Sequence, residues 1–224
     1  MRLIALCAVS AALLFTLALA QTSPWLLTKE EHASWQAIGR VNQAGYKSHS
    51  LCTGTLVAPD VVLTAAHCFD LTRSDPVIFV AGWYRGGYVA ARKVSDATIG
   101  AEFVLGAPLS MEMISQDWAF LKLESPIETV APLPMVPWRP GQSYDLVAYS
   151  GTTPHSLRGR LGCLNFEAAP GIIQLICGSE PGNSGGPVLG EGDDGWHVVG
   201  VVSAVSRSGV TFAVAPNGPL PSSR

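Results

Sequence analysis

The chain has 224 residues, 48% of them hydrophobic and only 14% Asp, Glu, Lys or Arg. Against a charged share of about 25% in ordinary soluble domains, this excludes a coiled coil and long disorder, and the length fits one large domain or two small ones. A formal charge of −3 excludes a nucleic-acid binder that works through a basic stripe, and 23 glycines with 16 prolines point to the many turns of an all-β protein.

In chain order, Met1-Arg2 is a short basic start, and Leu3 to Ala20 is an unbroken run of apolar and small residues. Ala18-Leu19-Ala20 then fits the small-x-small pattern at which an export signal is cleaved. The competing reading is an uncleaved membrane anchor, since about 18 apolar residues can span a bilayer. The Ala-x-Ala ending favours a signal peptide over residues 1–20, with Gln21 as the first mature residue. The expected location is therefore secreted or periplasmic, with no membrane attachment after cleavage. Cleavage removes Arg2 and Cys7 and leaves Cys52, Cys68, Cys163 and Cys177. An even number of cysteines in an exported chain implies disulfides, and four allow three connectivities. No Cys-x-x-Cys pair of the kind a zinc site uses is present, and neither a metal nor a cofactor is expected.

Residues 21–35 are polar and mixed, as in an N-terminal arm or a pro-segment. Short apolar runs follow, separated by turn residues: 50–57, 61–65, 77–82 and 88–94. The same texture returns at 144–149, 172–177, 196–205 and 210–214. This spacing predicts strands of a sandwich or barrel, and no stretch of helical period is long enough to compete. Between the two sets lies 125–140, with Pro126, Pro132, Pro134, Pro137 and Pro140. Proline has no backbone donor and does not sit in a central strand, so this stretch reads as a linker. The expected organisation is an N-terminal β unit over 36–125, a linker over 126–140, a C-terminal β unit over 141–218 and a tail over 219–224. Pro216, Pro219 and Pro221 forbid a C-terminal helix, and the tail is expected to fray.

Three segments carry chemistry: Leu63-Thr64-Ala65-Ala66-His67-Cys68, Asp117-Trp118-Ala119-Phe120, and Pro181-Gly182-Asn183-Ser184-Gly185-Gly186-Pro187. Alone, each has a plainer reading: a core histidine, a turn carboxylate, a glycine-rich turn. Together, in the order His, Asp, Ser, they resemble the chymotrypsin-like (trypsin-fold) serine peptidases over roughly 37–216. The resemblance implies two six-stranded antiparallel β-barrels packed together, with the active site in the cleft between them. It implies a serine endopeptidase acting on a protein or peptide substrate through an acyl-enzyme; the oligomeric state is left open by the sequence, with a monomer expected. In chemical terms, His67 would take the Ser184 proton as general base and return it to the leaving amine. Asp117 would fix the imidazole tautomer and stabilise the imidazolium. By the same resemblance the Gly182 and Ser184 amides form the oxyanion hole, and Ser203 orients Asp117. A Gly182→Val change is then expected to damage turnover more than folding. Cys52 would pair with Cys68 and Cys163 with Cys177.

The chain also departs from the trypsin pattern. Residue 183 is Asn where trypsin and chymotrypsin carry the Asp that binds a newly cut amino terminus. The chain thus looks more similar to the bacterial secreted branch, glutamyl endopeptidases included, and no amine-to-carboxylate switch is expected. The resemblance walls the primary pocket with Gly178, Ser179 and Glu180, with Ser203, Ala204 and Val205, and with Gly209. No acid falls at its base, so Lys and Arg are disfavoured and a small or medium apolar residue is expected, with Glu180 the nearest contrary sign. Two other classes compete. One is a catalytically silent binding protein on the same fold. The other is an esterase, whose Gly-x-Ser-x-Gly motif and Ser, Asp, His order do not match.

Overall fold

The computed structural model describes residues 24–45, 52–70 and 72–222. The export signal expected over 1–20, and its cleavage point before Gln21, lie outside the described residues. Thirteen strands and two short helices follow one another in chain order. Strand β1 (Trp25–Leu26) is followed by β2 (Ile38–Gln43), β3 (Cys52–Ala58), β4 (Val61–Thr64), β5 (Val77–Ala81), β6 (Ala90–Ile99) and β7 (Ala119–Leu123). The second half holds β8 (Tyr144–Ala148), β9 (Arg158–Ala169), β10 (Ile172–Ile176), β11 (Pro187–Gly192), β12 (Gly195–Val205) and β13 (Thr211–Val214).

Strands β2-β3-β4-β7-β6-β5 form one closed barrel. Strands β9-β10-β13-β12-β11-β8 form the second, closed by the β8–β9 pairing, with β1 added on the free side of β9. The ladder pairings are antiparallel throughout, so the protein is all-β with two six-stranded barrels. The predicted apolar runs fall on β3, β4, β5, β6, β8, β10, β12 and β13.

Three buried clusters organise the packing. One fills the first barrel, around Val41, Leu56, Phe79 and Leu121. Another fills the second, around Tyr144, Ile173, Leu175 and Val199. The third lies between them: Ile38, Leu63, Val80 and Phe120 meet Tyr149, Leu157, Leu189 and Val201. The first barrel's strands therefore have two apolar faces, one turned inward and one turned to its neighbour. This explains why β2, β4 and β5 are buried at every position, and why β4 and β5 read as near-continuous apolar runs rather than alternating ones. Each fully buried aliphatic side chain contributes about 1.5–3 kcal/mol, so the shared cluster joins the two barrels firmly.

The segments outside the barrels are also held. In the proline-rich crossing, the Ile127 and Leu133 amides donate to Pro59 and Leu56 carbonyls of the first barrel, and the Val136 amide donates to Val198 of the second. The tail, expected to fray, lies on the first barrel: Lys122 Nζ donates to the Ser222 carbonyl at 2.6 Å, and Trp118 packs where a Cβ on Gly218 would stand. In the arm, a short helix over Lys29–Ala33 is capped reciprocally by Thr28 and Glu31. Its His32 is buried with its ring 5.0 Å from Tyr84 and 6.1 Å from Tyr149. The Trp25 indole lies against Gly159, where any Cβ would collide with it.

Candidate active site

The three motifs converge at the seam between the barrels. His67 stands on a single 3-10 turn, Ala66–Cys68, directly after β4. Ala65 and Ala66 are buried, and their small side chains let the turn lie against the first barrel's core. Cys68 is bonded to Cys52 across a sequence separation of 16, which ties this turn to β3. Asp117 terminates the short helix Met111–Gln116 and immediately precedes Trp118 and β7. Since β4 and β7 are paired, with Thr64 opposite Ala119, the ends of the two strands bring the imidazole and the carboxylate together.

Asp117 is buried and accepts three hydrogen bonds. The His67 backbone amide donates to Oδ1 at 2.9 Å, and Oδ2 lies 2.7 Å from His67 Nδ1. Ser203, on β12 of the other barrel, donates from its hydroxyl to Oδ2 at 2.5 Å. With Oδ2 as acceptor, Nδ1 carries the ring proton and Nε2 keeps its lone pair, the tautomer a general base needs. The His67 side chain is 35% exposed against 6% for Asp117, so the imidazole reaches solvent while the carboxylate bonded to it does not.

Ser184 sits between Gly182, with φ +97°, and Gly185, with φ +77°. These two positions require glycine. A Cβ on Gly182 would come within 2.8–2.9 Å of the Ser150–Gly151 backbone, and one on Gly185 would collide with the Thr53 carbonyl and the Thr64 hydroxyl. Gly182→Val, expected from the sequence to damage turnover more than folding, would therefore strain the loop as well. The strained φ and the adjoining backbone mean that any side chain moves the loop itself, so loop structure and turnover fall together. The same Cβ on Gly185 would lie 3.1 Å from the Ala65 amide, which puts the nucleophile loop against the His67 turn. Ser184 Oγ makes no hydrogen bond to His67 among the described residues. This is common before substrate is bound, because such contacts tighten in the Michaelis complex.

The amides around Ser184 are oriented by their carbonyls. In a trans peptide C=O and N–H point in opposite directions. Pro181 C=O accepts from the Gly151 amide at 2.6 Å, and Asn183 C=O accepts from the Gly186 amide at 2.8 Å. The N–H groups of Gly182 and Ser184, on the other side of those peptides, donate to no group among the described residues. Two amides without an acceptor, flanking Asn183 next to a serine hydroxyl, are groups that could receive an anion. Asn183 braces the loop from within: its Nδ2 donates to the Tyr149 carbonyl at 2.7 Å and its Oδ1 accepts from the Glu180 amide at 2.9 Å. A carboxylate, which only accepts, would lose the first of these bonds.

The predicted pocket residues divide into two groups. Ser203, Ala204 and Val205 line a cavity of about 280 Å³ together with His67 and Asp117. Gly178, Ser179, Glu180 and Gly209 lie outside its lining. The opposite wall is a segment the sequence reading did not assign: Phe103, Val104, Leu109 and Met113. The sequence shows only a cluster of apolar residues around Gly106 and Pro108 with no strand alternation, which does not say what the segment faces. Glu180 is not a free acid. Arg158 and Arg160 donate to its Oε1 at 3.1 and 3.3 Å, and the Thr152 hydroxyl donates to its Oε2 at 2.7 Å. Cys163 and Cys177 form the second disulfide, on the β9–β10 ladder. Ligand atoms of Cys52, His67 and Cys68 lie within 4.8 Å of one another, but both sulfurs are consumed by the disulfide, so the group offers no thiolate to a metal.

A family model described as a trypsin-like peptidase domain matches residues 52–201. Among solved structures, a thermostable serine protease, AL20, from an extremophilic microorganism aligns with TM-score 0.65 and 20% identity, over 82% of this chain and 92% of that one. A Glu endopeptidase in complex with MPD aligns with TM-score 0.66 and 20% identity, over 88% and 92%. The protease Anisep from Arthrobacter nicotinovorans aligns with TM-score 0.62 and 20% identity, over 80% and 90%. At this identity the structural likeness concerns the fold.

Proposed function

The chain belongs to the trypsin-like peptidase family and is a serine endopeptidase, and from that premise we propose that it cleaves peptide bonds with His67, Asp117 and Ser184 as its triad. Ser184 Oγ attacks the substrate carbonyl carbon while His67 Nε2 takes the hydroxyl proton. The carbonyl oxygen becomes an oxyanion facing the Gly182 and Ser184 amides. Collapse of this intermediate breaks the C–N bond, and His67 returns its proton to the departing amine. Water, activated by the same imidazole, then releases the acid from the acyl-enzyme. The observation that carries this reading is the pair of undonated amides beside Ser184, together with an imidazole whose Nδ1 is engaged by Asp117. A silent binding protein has no use for that arrangement.

The substrate we infer is a peptide with apolar side chains near the scissile bond. The cavity beside His67 is lined by Phe103, Val104, Leu109, Met113 and Val205. The nearest acid to the predicted pocket, Glu180, already faces two arginines, which argues against Lys and Arg. With Asn183 bonded at both ends of its amide, no switch driven by a new amino terminus is needed. The capped helix and buried His32 support an arm that stays with the mature enzyme rather than a removable pro-segment. Two disulfides fit an oxidising compartment, in keeping with export by residues 1–20, and among the described residues no helix is long and apolar enough to cross a membrane. Digestion of a randomised peptide library tests the substrate reading. Cleavage beside apolar residues, absent with Ser184→Ala, is the expected result; cleavage confined to Lys, Arg or Glu sites contradicts it.

A further inference from the structure

The carbonyls of the nucleophile loop are pinned one after another, and two of the four pins come from one residue of the opposite barrel. Pro181 C=O is held by Gly151 and Asn183 C=O by Gly186, both within the second barrel. Gly182 C=O accepts from the Thr53 hydroxyl at 2.9 Å, and Ser184 C=O accepts from the Thr53 amide at 2.8 Å. Thr53 lies on β3 of the first barrel, between Cys52 and Gly54, and is fully buried. The same hydroxyl accepts from the Tyr149 amide at 3.1 Å, and the Thr53 carbonyl accepts from the Thr64 hydroxyl at 2.8 Å. Thr64 ends β4, three residues before His67.

We propose that Thr53 is a positioning residue for catalysis, a brace by which the barrel carrying His67 sets the orientation of the oxyanion-binding amides on the other barrel. The proposal rests on the triad and oxyanion-hole reading above. The Gly182 and Ser184 amides are aimed by the tilt of their peptide planes, and these planes adjoin the two carbonyls that Thr53 holds. A valine at 53 has nearly the same shape but no hydroxyl. It would leave the Gly182 carbonyl and the Tyr149 amide buried and unpaired, and the loop would turn to find other partners. The ground-state substrate makes little use of the oxyanion donors, so the loss falls on kcat rather than KM.

Thr53→Val, Thr53→Ser and Thr53→Ala are compared with the parent, with rates normalised to titrated active sites. Removing an oxyanion donor outright costs about 100- to 1000-fold; T53V frees the Gly182 carbonyl while keeping the backbone amide that holds Ser184 C=O, and is expected to cost about 30-fold in kcat with KM changed less than about threefold. T53S keeps the hydroxyl and is expected to stay within about threefold of the parent. Affinity for a peptide boronate, which carries the tetrahedral anion, falls with T53V by the same factor as kcat/KM. A T53V enzyme that loses thermal stability but keeps kcat and boronate affinity would reduce Thr53 to a structural residue and overturn the proposal. Should T53V not fold, T53A is read by the same criteria. Amide hydrogen exchange over residues 180–186 is measured in parallel, and at least tenfold faster exchange in T53V, with β5 unchanged, is expected. If the parent itself proves inactive, the triad reading fails and takes the catalytic role of Thr53 with it; unchanged kcat and unchanged exchange in T53V of an active parent, by contrast, end the brace alone.

Discussion

The two barrels hold the groups we propose for catalysis by different means. The first seats His67 and Asp117 on closely packed elements: β2, β4 and β5 are buried along their whole length, and Ala65, Ala66 and Trp118 are buried beside the two residues, whose carboxylate is then held by hydrogen bonds from His67 and Ser203. The second holds Ser184 by backbone conformation and polar contacts: glycines at positive φ, Asn183 bonded at both ends, and loop carbonyls pinned one by one. Its outer strands are far less buried, with Leu161, Leu164, Phe166 and Ile176 exposed on β9 and β10. A base and its orienting acid have to keep one geometry, which a close-packed core supplies. Oxyanion donors have to remain unsatisfied and aimed, which packing alone does not achieve and a network of fixed carbonyls does.

Substitutions that attack each support in turn separate the two halves. The largest effects are on the reacting groups themselves. Ser184→Ala or His67→Ala is expected to lower kcat by about 10⁴-fold or more, and Asp117→Asn by about 10⁴-fold through the wrong tautomer. Unchanged Tm in all three would show that these groups serve chemistry rather than folding. Next comes Gly182→Ala, in the polar-held half. Kinetics and thermal melts together are expected to show a fall in kcat of about 100-fold or more and a stability loss of about 1–3 kcal/mol from the forced φ. Loss of stability alone would break the contrast between the halves.

The disulfides offer a milder comparison. Each closes a loop of similar length, 16 and 14 residues apart, so replacing either pair by alanine costs about 3 kcal/mol in the chain-entropy model. Removing Cys52–Cys68, which adjoins His67, is expected to reduce activity per folded molecule as well. Removing Cys163–Cys177 is expected to reduce only the denaturation midpoint.

The smallest effect is acid sensitivity from His32. Burial depresses its imidazole below the usual value near 6.5. The unfolded chain therefore binds the proton more readily, and stability present above about pH 6.5 is lost as the pH falls below it. The aromatic rings of Tyr84 and Tyr149 pack against His32, and neither offers a counter-charge. His32→Gln should flatten the Tm profile between about pH 6.5 and 5; an identical slope in both proteins would remove His32 as its source.

How far the sequence foretold these features follows from the same contrast. Strands with a run of branched or aromatic residues, such as Val77–Ala81, were legible because their burial is written in hydropathy. Strand β9 was not: Arg158 to Ala169 carries exposed leucines, two glycines and charges, and Gly159 is there only because Trp25 lies across it. Strand β11 begins on a proline, which masked it, although a first position needs no donor. The three residues we propose as the triad were legible from their motifs. The wall formed by Phe103, Leu109 and Met113 was not, since nothing local says that an apolar loop faces His67. Thr53 was equally silent, because its role lies in partners about a hundred residues away.

The most direct measurement is active-site labelling with a peptidyl organophosphonate, followed by mass spectrometric mapping. The account predicts one adduct per molecule, on Ser184, formed by correctly disulfide-bonded protein and abolished by His67→Ala. Absence of labelling in folded parent protein, or labelling at another serine that survives His67→Ala, would contradict it.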